Sequence, residues 1–198
     1  MKTMRTIEDT IKDRDEAIRE ARFLVSHPYY IVDTETTGLK NAQMCQIGML
    51  DSDGHVMSSY VKPTIPIEPG AMAVHHITDE MVKDAPTADQ IITAFRSNKN
   101  MIIYNAPFDT QVIINSLNAA GAPKFEFPEI FDAMQIYSKF RGEWNDYYQN
   151  YRWHKLEAAC NQCGIAIDVT LHDALADCIM TDKILHHMAD QKLSEEMK

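Results

Sequence analysis

The sequence predicts an α/β domain built on a mixed sheet with helices on its faces. Two observations carry that expectation. Three short apolar runs, Tyr29 to Val32, Met44 to Leu50 and His55 to Val61, follow closely on one another, the last two joined by the turn signal Asp51-Ser-Asp-Gly54. Helical and strand patterns then alternate to the end of the chain, which sets helices against the faces of one sheet. The 198 residues, 45% hydrophobic and 24% charged, are enough for one domain to bury a core.

The first element is a helix from Thr6 to Ser26. Ile7, Ile11, Ile18, Ala21 and Val25 recur at spacings of three, four or seven, with Arg14 interrupting the stripe. Glu8 with Lys12 and Asp15 with Arg19 set acid before base at i,i+4, the favourable order on a helix surface. Pro28 disfavours helical conformation in His27 and ends the helix. Its apolar stripe needs a surface, either the domain that follows or a protein partner. The chain therefore divides into an amphipathic helix over 1–27, a main domain over 28–190 and a polar tail over 191–198.

After the three strands, helical patterns run from Thr78 to Val82 and Thr87 to Ser97. A strand at Met101 to Tyr104 and a helix from Pro107 to about Ala119 come next. A last short strand near Ile130-Phe131 precedes helices near Ala133 to Phe140, His154 to Cys163 and His172 to about Met188. That makes five strands.

Charge restricts the functions open to such a domain. With 19 Lys+Arg against 29 Asp+Glu the net charge is −10, so no general positive field holds the chain to nucleic acid. Nucleic acid has to be met locally, through divalent cations that carboxylates bind and that reverse the electrostatics there. The charged opening lacks a signal peptide's apolar core, and no stretch approaches the roughly 18 apolar residues of a membrane span. A cytoplasmic protein is expected. Cys160 and Cys163 form a CxxC flanked by His154 and His172, but no second CxxC or HxxxH lies at finger spacing. Two semi-buried helix thiols are expected there rather than zinc.

Three acidic segments carry the chemistry. Asp33-Thr-Glu35-Thr-Thr-Gly38 follows the first strand, and residues two apart on a strand share a face, so Asp33 and Glu35 can stand side by side. Such a pair repels itself unless a cation lies between, although a turn rich in Asp, Thr and Gly uses the same letters. The second segment, Asn105-Ala-Pro-Phe108-Asp109, again joins a buried strand to a helix, where Asp109 also suits the helix dipole. In the third, His172-Asp-Ala-Leu-Ala-Asp177, a carboxylate stands among Ala174, Leu175, Ala176, Ile179 and Met180, costly to bury without a partner.

In this order the three segments resemble the DxE, NxxFD and HxAxxD motifs of the DEDDh exonucleases, a branch of the ribonuclease H-like superfamily. Val74-His75-His76-Ile77 looks like the family's VHGI segment, with His76 where glycine is usual. The resemblance runs from about Tyr29 to His187. It implies a ribonuclease H-like five-stranded mixed sheet flanked by helices, with residues 1–27 as an N-terminal extension. It assigns Asp33, Glu35, Asp109 and Asp177 to two divalent metals, with Asp33 bridging, and His172 to the general base. Oxygen-only ligands suit magnesium or manganese, and an imidazole ordinarily titrates close enough to neutrality to take a proton from water. Asp173, four residues before Asp177, stands where the tyrosine class of the superfamily carries its tyrosine, which favours the histidine class. By the same comparison Thr34, Thr37, Leu39, Val74, His75, Asn105 and Phe108 shape the pocket for the terminal nucleotide.

The implied activity is a metal-dependent 3′→5′ exonuclease acting on single-stranded or frayed DNA and releasing nucleoside 5′-monophosphates. An RNA-trimming nuclease uses the same residues, since none reads the 2′-hydroxyl unambiguously. A non-catalytic polymerase-docking module is the alternative from another class, and the intact acidic set with His172 argues against it. Nucleic acid 3′ ends are the expected partner, with a protein partner through the first helix also open. Only about ten residues follow His187, which favours a free-standing nuclease. Lys139 to Lys155 holds both tryptophans and three of the eight tyrosines among Lys139, Arg141, Arg152 and Lys155. That mixture suits a single-strand track, core packing or a partner contact.

Overall fold

The structure, a computed structural model, describes residues 5–93, 99–167 and 172–197. Helix α1 (Ile7–Val25) opens with a capping box in which Thr6 and Asp9 satisfy one another's backbone N–H groups. Strands β1 (Tyr29–Thr36), β2 (Met44–Asp51) and β3 (Val56–Tyr60) form the antiparallel meander. Helices α2 (Pro69–His75), α3 (Asp79–Val82) and α4 (Ala88–Ile92) lead to β4 (Asn100–Ile103). Helix α5 (Ala106–Ala119), β5 (Ile130–Asp132) and α6 (Ala133–Arg141) follow. A hairpin of β6 (Trp144–Asn145) and β7 (Asn150–Tyr151) precedes α7 (Leu156–Gln162) and α8 (Ala174–Ala189). Strands β4 and β5 add parallel to β1, giving the order β3-β2-β1-β4-β5, the expected five-stranded mixed sheet.

Alternation along β1 divides the core. Tyr29 and Ile31 face a layer made by α1, α6, α7 and α8, whereas Tyr30 and Val32 face one that includes α4 and α5. Ala17, Ile18, Ala21 and Leu24 of α1 are fully buried on this chain's own core, whereas Ile7 and Ile11 nearer its start are exposed. The C-terminal turn closes back on the same helix. Ser194 N–H donates to Asp15 at 3.0 Å, and Arg22 donates to the Ala189 and Gln191 carbonyls and to Glu196.

Four details depart from the sequence reading. Strand β1 continues through Asp33 and Glu35, which pair with Gly48 and Gln46, so the first acidic pair lies within the strand rather than after it. Helix α2 and the β6–β7 hairpin had no clear periodic signal, the one being short and opening with Pro69-Gly70, the other having only two residues per strand. The helix expected from His172 begins at Ala174, because the Asp173 side chain caps the Leu175 and Ala176 N–H groups. The helix expected from Thr87 to Ser97 is α4, and 94–98 lie outside the described residues. Cys160 is buried in α7 and Cys163 half-buried just beyond it, its Sγ 3.8 Å from the Tyr137 hydroxyl.

Candidate active site

The acidic segments meet where β1 and β4 end and α8 begins. Gly48 lets α8 approach β2 closely, for a Cβ there would lie 2.4 Å from the Ala174 carbonyl carbon. Gln46 fixes the contact. Its Nε2 donates to Asp173 Oδ2 at 2.9 Å while its Oε1 accepts from Ala174 N–H at 3.2 Å. With the helix start held, Asp177 is one turn in, and ligand atoms of Glu35, His172 and Asp177 all lie within 4.8 Å of one another. Asp109 reaches the site from the first turn of α5, its Oδ1 accepting from the Thr34 N–H at 3.1 Å and the Thr34 hydroxyl at 2.7 Å.

The electrostatics are those of acids crowded out of water. Burial first, then repulsion from Asp109, Asp177, Glu35 and Asp173, holds the Asp33 carboxyl well above the ordinary range. Burial and the charge of Asp177 push Glu35 to about 8, and burial with Asp173 pushes Asp177 to about 6. Burial raises Asp109 to about 7 despite the two Thr34 hydrogen bonds, which favour its charged form. Asp177 Oδ1 is buried with no hydrogen-bond partner among the described residues. An orphaned carboxylate oxygen in a set of oxygen donors, with no Lys or Arg among the groups shifting these acids, fits hard divalent cations.

The remaining candidates frame this cluster. Thr37 is buried, and its Oγ1 accepts from Gln43 N–H at 3.0 Å. His75 is buried with its Nε2 3.0 Å from the Thr36 carbonyl and its Nδ1 accepting from Ile77 N–H, so both ring nitrogens hold backbone. Next to it His76, which stands where the family motif usually has glycine, has φ 62°, the left-handed conformation that glycine adopts freely. Leu39 is 85% exposed, Val74 is exposed, and Phe108 packs half-buried against the α5 layer. Asn105 is left-handed at the start of α5, and its N–H donates to Asp132. His172 is exposed and also left-handed, φ 61°.

Two residues that position the site lie outside that candidate set. Asp173 carries a helix-start signature, an acid just before an apolar run. Gln46 shows only as a polar letter inside an apolar strand, with nothing local to tell which helix it meets.

The exonuclease family profile matches residues 30–185. An uncharacterized exonuclease, CP81, of Escherichia phage 186 is 39% identical over 168 residues, covering 80% of this chain and 86% of that protein. The DNA polymerase III subunit epsilon of Pasteurella multocida is 29% identical over 78% of this chain and 66% of its own. Among solved structures, exonuclease X in complex with 5′ overhanging duplex DNA superposes with a TM-score of 0.65 at 25% identity, over 85% of this chain and 96% of that one. A match along most of the sequence, on a sheet of this order and with all three acidic segments gathered at one end of it, makes the chain a member of the exonuclease family.

Proposed function

We propose that this protein is a DEDDh-type 3′→5′ exonuclease that removes nucleoside 5′-monophosphates from single-stranded or frayed DNA, using two magnesium or manganese ions. The observation that carries the reading is the meeting of Glu35, Asp177 and His172 within 4.8 Å beside the half-buried Asp33 and the buried Asp109. Asp33, Glu35, Asp109 and Asp177 would hold the cations, with Thr34 fixing one oxygen of Asp109 for that purpose. Bound there, the cations supply Lewis acidity to a phosphodiester and its attacking water. His172, exposed at the rim and within reach of Glu35 and Asp177, takes the proton that the water loses. Leu39 offers an exposed apolar surface and Phe108 an aromatic one against which the terminal base can rest.

DNA is favoured over RNA because the exonuclease X structure that resembles this chain holds DNA. Among the described residues no helix is long and apolar enough to cross a membrane, and a cytoplasmic site of action goes with this reading. The test is digestion of matched linear and covalently closed single strands, duplexes, mismatched duplexes and RNA, labelled at the 5′ end where an end exists, with and without magnesium. Linear DNA should shorten stepwise from its 3′ end only when magnesium is present. Cutting of the closed circle would count decisively against an obligatory exonuclease.

A further inference from the structure

We infer that the β6–β7 hairpin and the residues just after it form a stacking surface for the single-stranded DNA that trails behind the 3′ end, an inference that rests on the exonuclease reading. Tyr147, Tyr148 and Trp153 are 75%, 70% and 62% exposed. Three large rings held in water invite contact with flat apolar faces. Their support is firm. The Arg5 guanidinium sits 4.5 Å from the centre of the Trp144 ring and 5.0 Å from that of Tyr151, and the Tyr151 hydroxyl donates to Asp13. Trp144 and Tyr151, packed edge to face at 5.1 Å, thereby pin the hairpin to the start of α1 and leave the other rings outward.

Charge and position identify the occupant. In a chain of net charge −10, the stretch Lys139 to Lys155 has four Lys and Arg against two acids. Arg152 and Lys155 flank Trp153 and are themselves exposed, Arg152 with one acidic neighbour, Glu143, at 3.9 Å. Tyr148, Tyr151 and Trp153, with Asn145, Asn150 and Arg152, line a hollow of about 370 Å³ open to a stacked base. Immediately after Trp153, the His154 carbonyl accepts from the Tyr104 hydroxyl at 2.8 Å. Tyr104 precedes Asn105, and Asp109 lies in the first turn of the helix that starts there, so this hydrogen bond ties the residues after the hairpin to the strand end that leads to Asp109. Rings that stack on any base, alternating with cations for phosphate, bind single strands without regard to sequence.

The test compares Trp153→Ala and the double variant Tyr147→Ala/Tyr148→Ala with the parent on 5′-labelled oligothymidylates of three and of about twenty nucleotides. Each variant should raise KM for the long strand about fivefold or more, as loss of one stacked base does. Its kcat, its KM for the trinucleotide and its melting temperature should stay within error of the parent. Anisotropy of a fluorescent twenty-nucleotide strand in EDTA should weaken by the same factor, a readout that needs no turnover. Equal losses on short and long strands, or none on the long one, would overturn the stacking surface and leave the exonuclease reading standing. Variant-sensitive binding in EDTA without any turnover in magnesium would do the reverse.

Discussion

Asp33 concentrates the central tension of the molecule. It is held far above its ordinary range by burial and by neighbouring carboxylates, and Asp177, Asp109 and Glu35 sit near 6, 7 and 8 for related reasons. All four shifts are upward. In the metal-free protein such groups favour their protonated forms, so the stability they contribute is complete below the ordinary carboxylate range of about 4 and is lost as pH rises through about 6 to 8. The melting temperature in EDTA should therefore fall between pH 5 and pH 9. Asp33→Asn should flatten and raise that curve at the alkaline end, and saturating manganese should restore the parent there. A parent curve with no pH dependence in EDTA would contradict the crowding. His172 answers to a separate measurement. Its replacement by alanine should lower kcat about 10² to 10⁴-fold with little change in metal affinity. Raising the metal concentration should not rescue the variant, and recovery of the parent rate at high metal would remove the base assignment in favour of a ligand role.

At the scale of elements, the site depends on how close α8 lies to β2. Gly48→Ala would drive a methyl into the Ala174 backbone, which no side-chain rotation can relieve. We expect a loss of about 1 to 3 kcal/mol in stability. Turnover should fall by more than unfolding alone explains, because Asp173, His172 and Asp177 shift with the helix start. Activity and melting temperature of the variant near the parent's would show that the contact does not set the site. The same contact marks the limit of sequence reading. Asp33 and Glu35 are legible because strand periodicity is local, and the starts of α5 and α8 are legible to within a few residues from their caps and apolar runs. Gln46 and Gly48 draw their meaning from a helix 127 or so residues further on, and nothing near them in the chain announces it. Hairpin β6–β7 was hidden for a different reason. Its two-residue strands are too short for any period, and its rings are held by Arg5 at the other end of the chain.

Over the whole molecule, both termini brace the helical layer behind the sheet. Leu24 and Ala21 of α1 are fully buried, and Asp15, although burial opposes its charge, is held below the usual carboxylate range by Ser194. An amphipathic stripe alone left open whether the first helix packs at home or on a partner; Ile18 and Ala21 of that stripe pack at home, while Ile7 and Ile11 stay exposed. The net charge of −10 works against nucleic acid, except where bound cations at the acidic site or the basic residues flanking the β6–β7 hairpin would offset it locally. The claim that joins these scales is that Asp33 and its neighbours are a metal centre built to hydrolyse DNA from the 3′ end. One comparison tests it most directly: the rate at which parent and Asp33→Asn proteins, both folded, release 5′-mononucleotides from a 5′-labelled single strand at saturating magnesium. The parent should release them from the 3′ end, and the variant should be slower by about 10³-fold or more, a loss of several kcal/mol in transition-state stabilisation. A variant that works at a rate near the parent's would contradict the account.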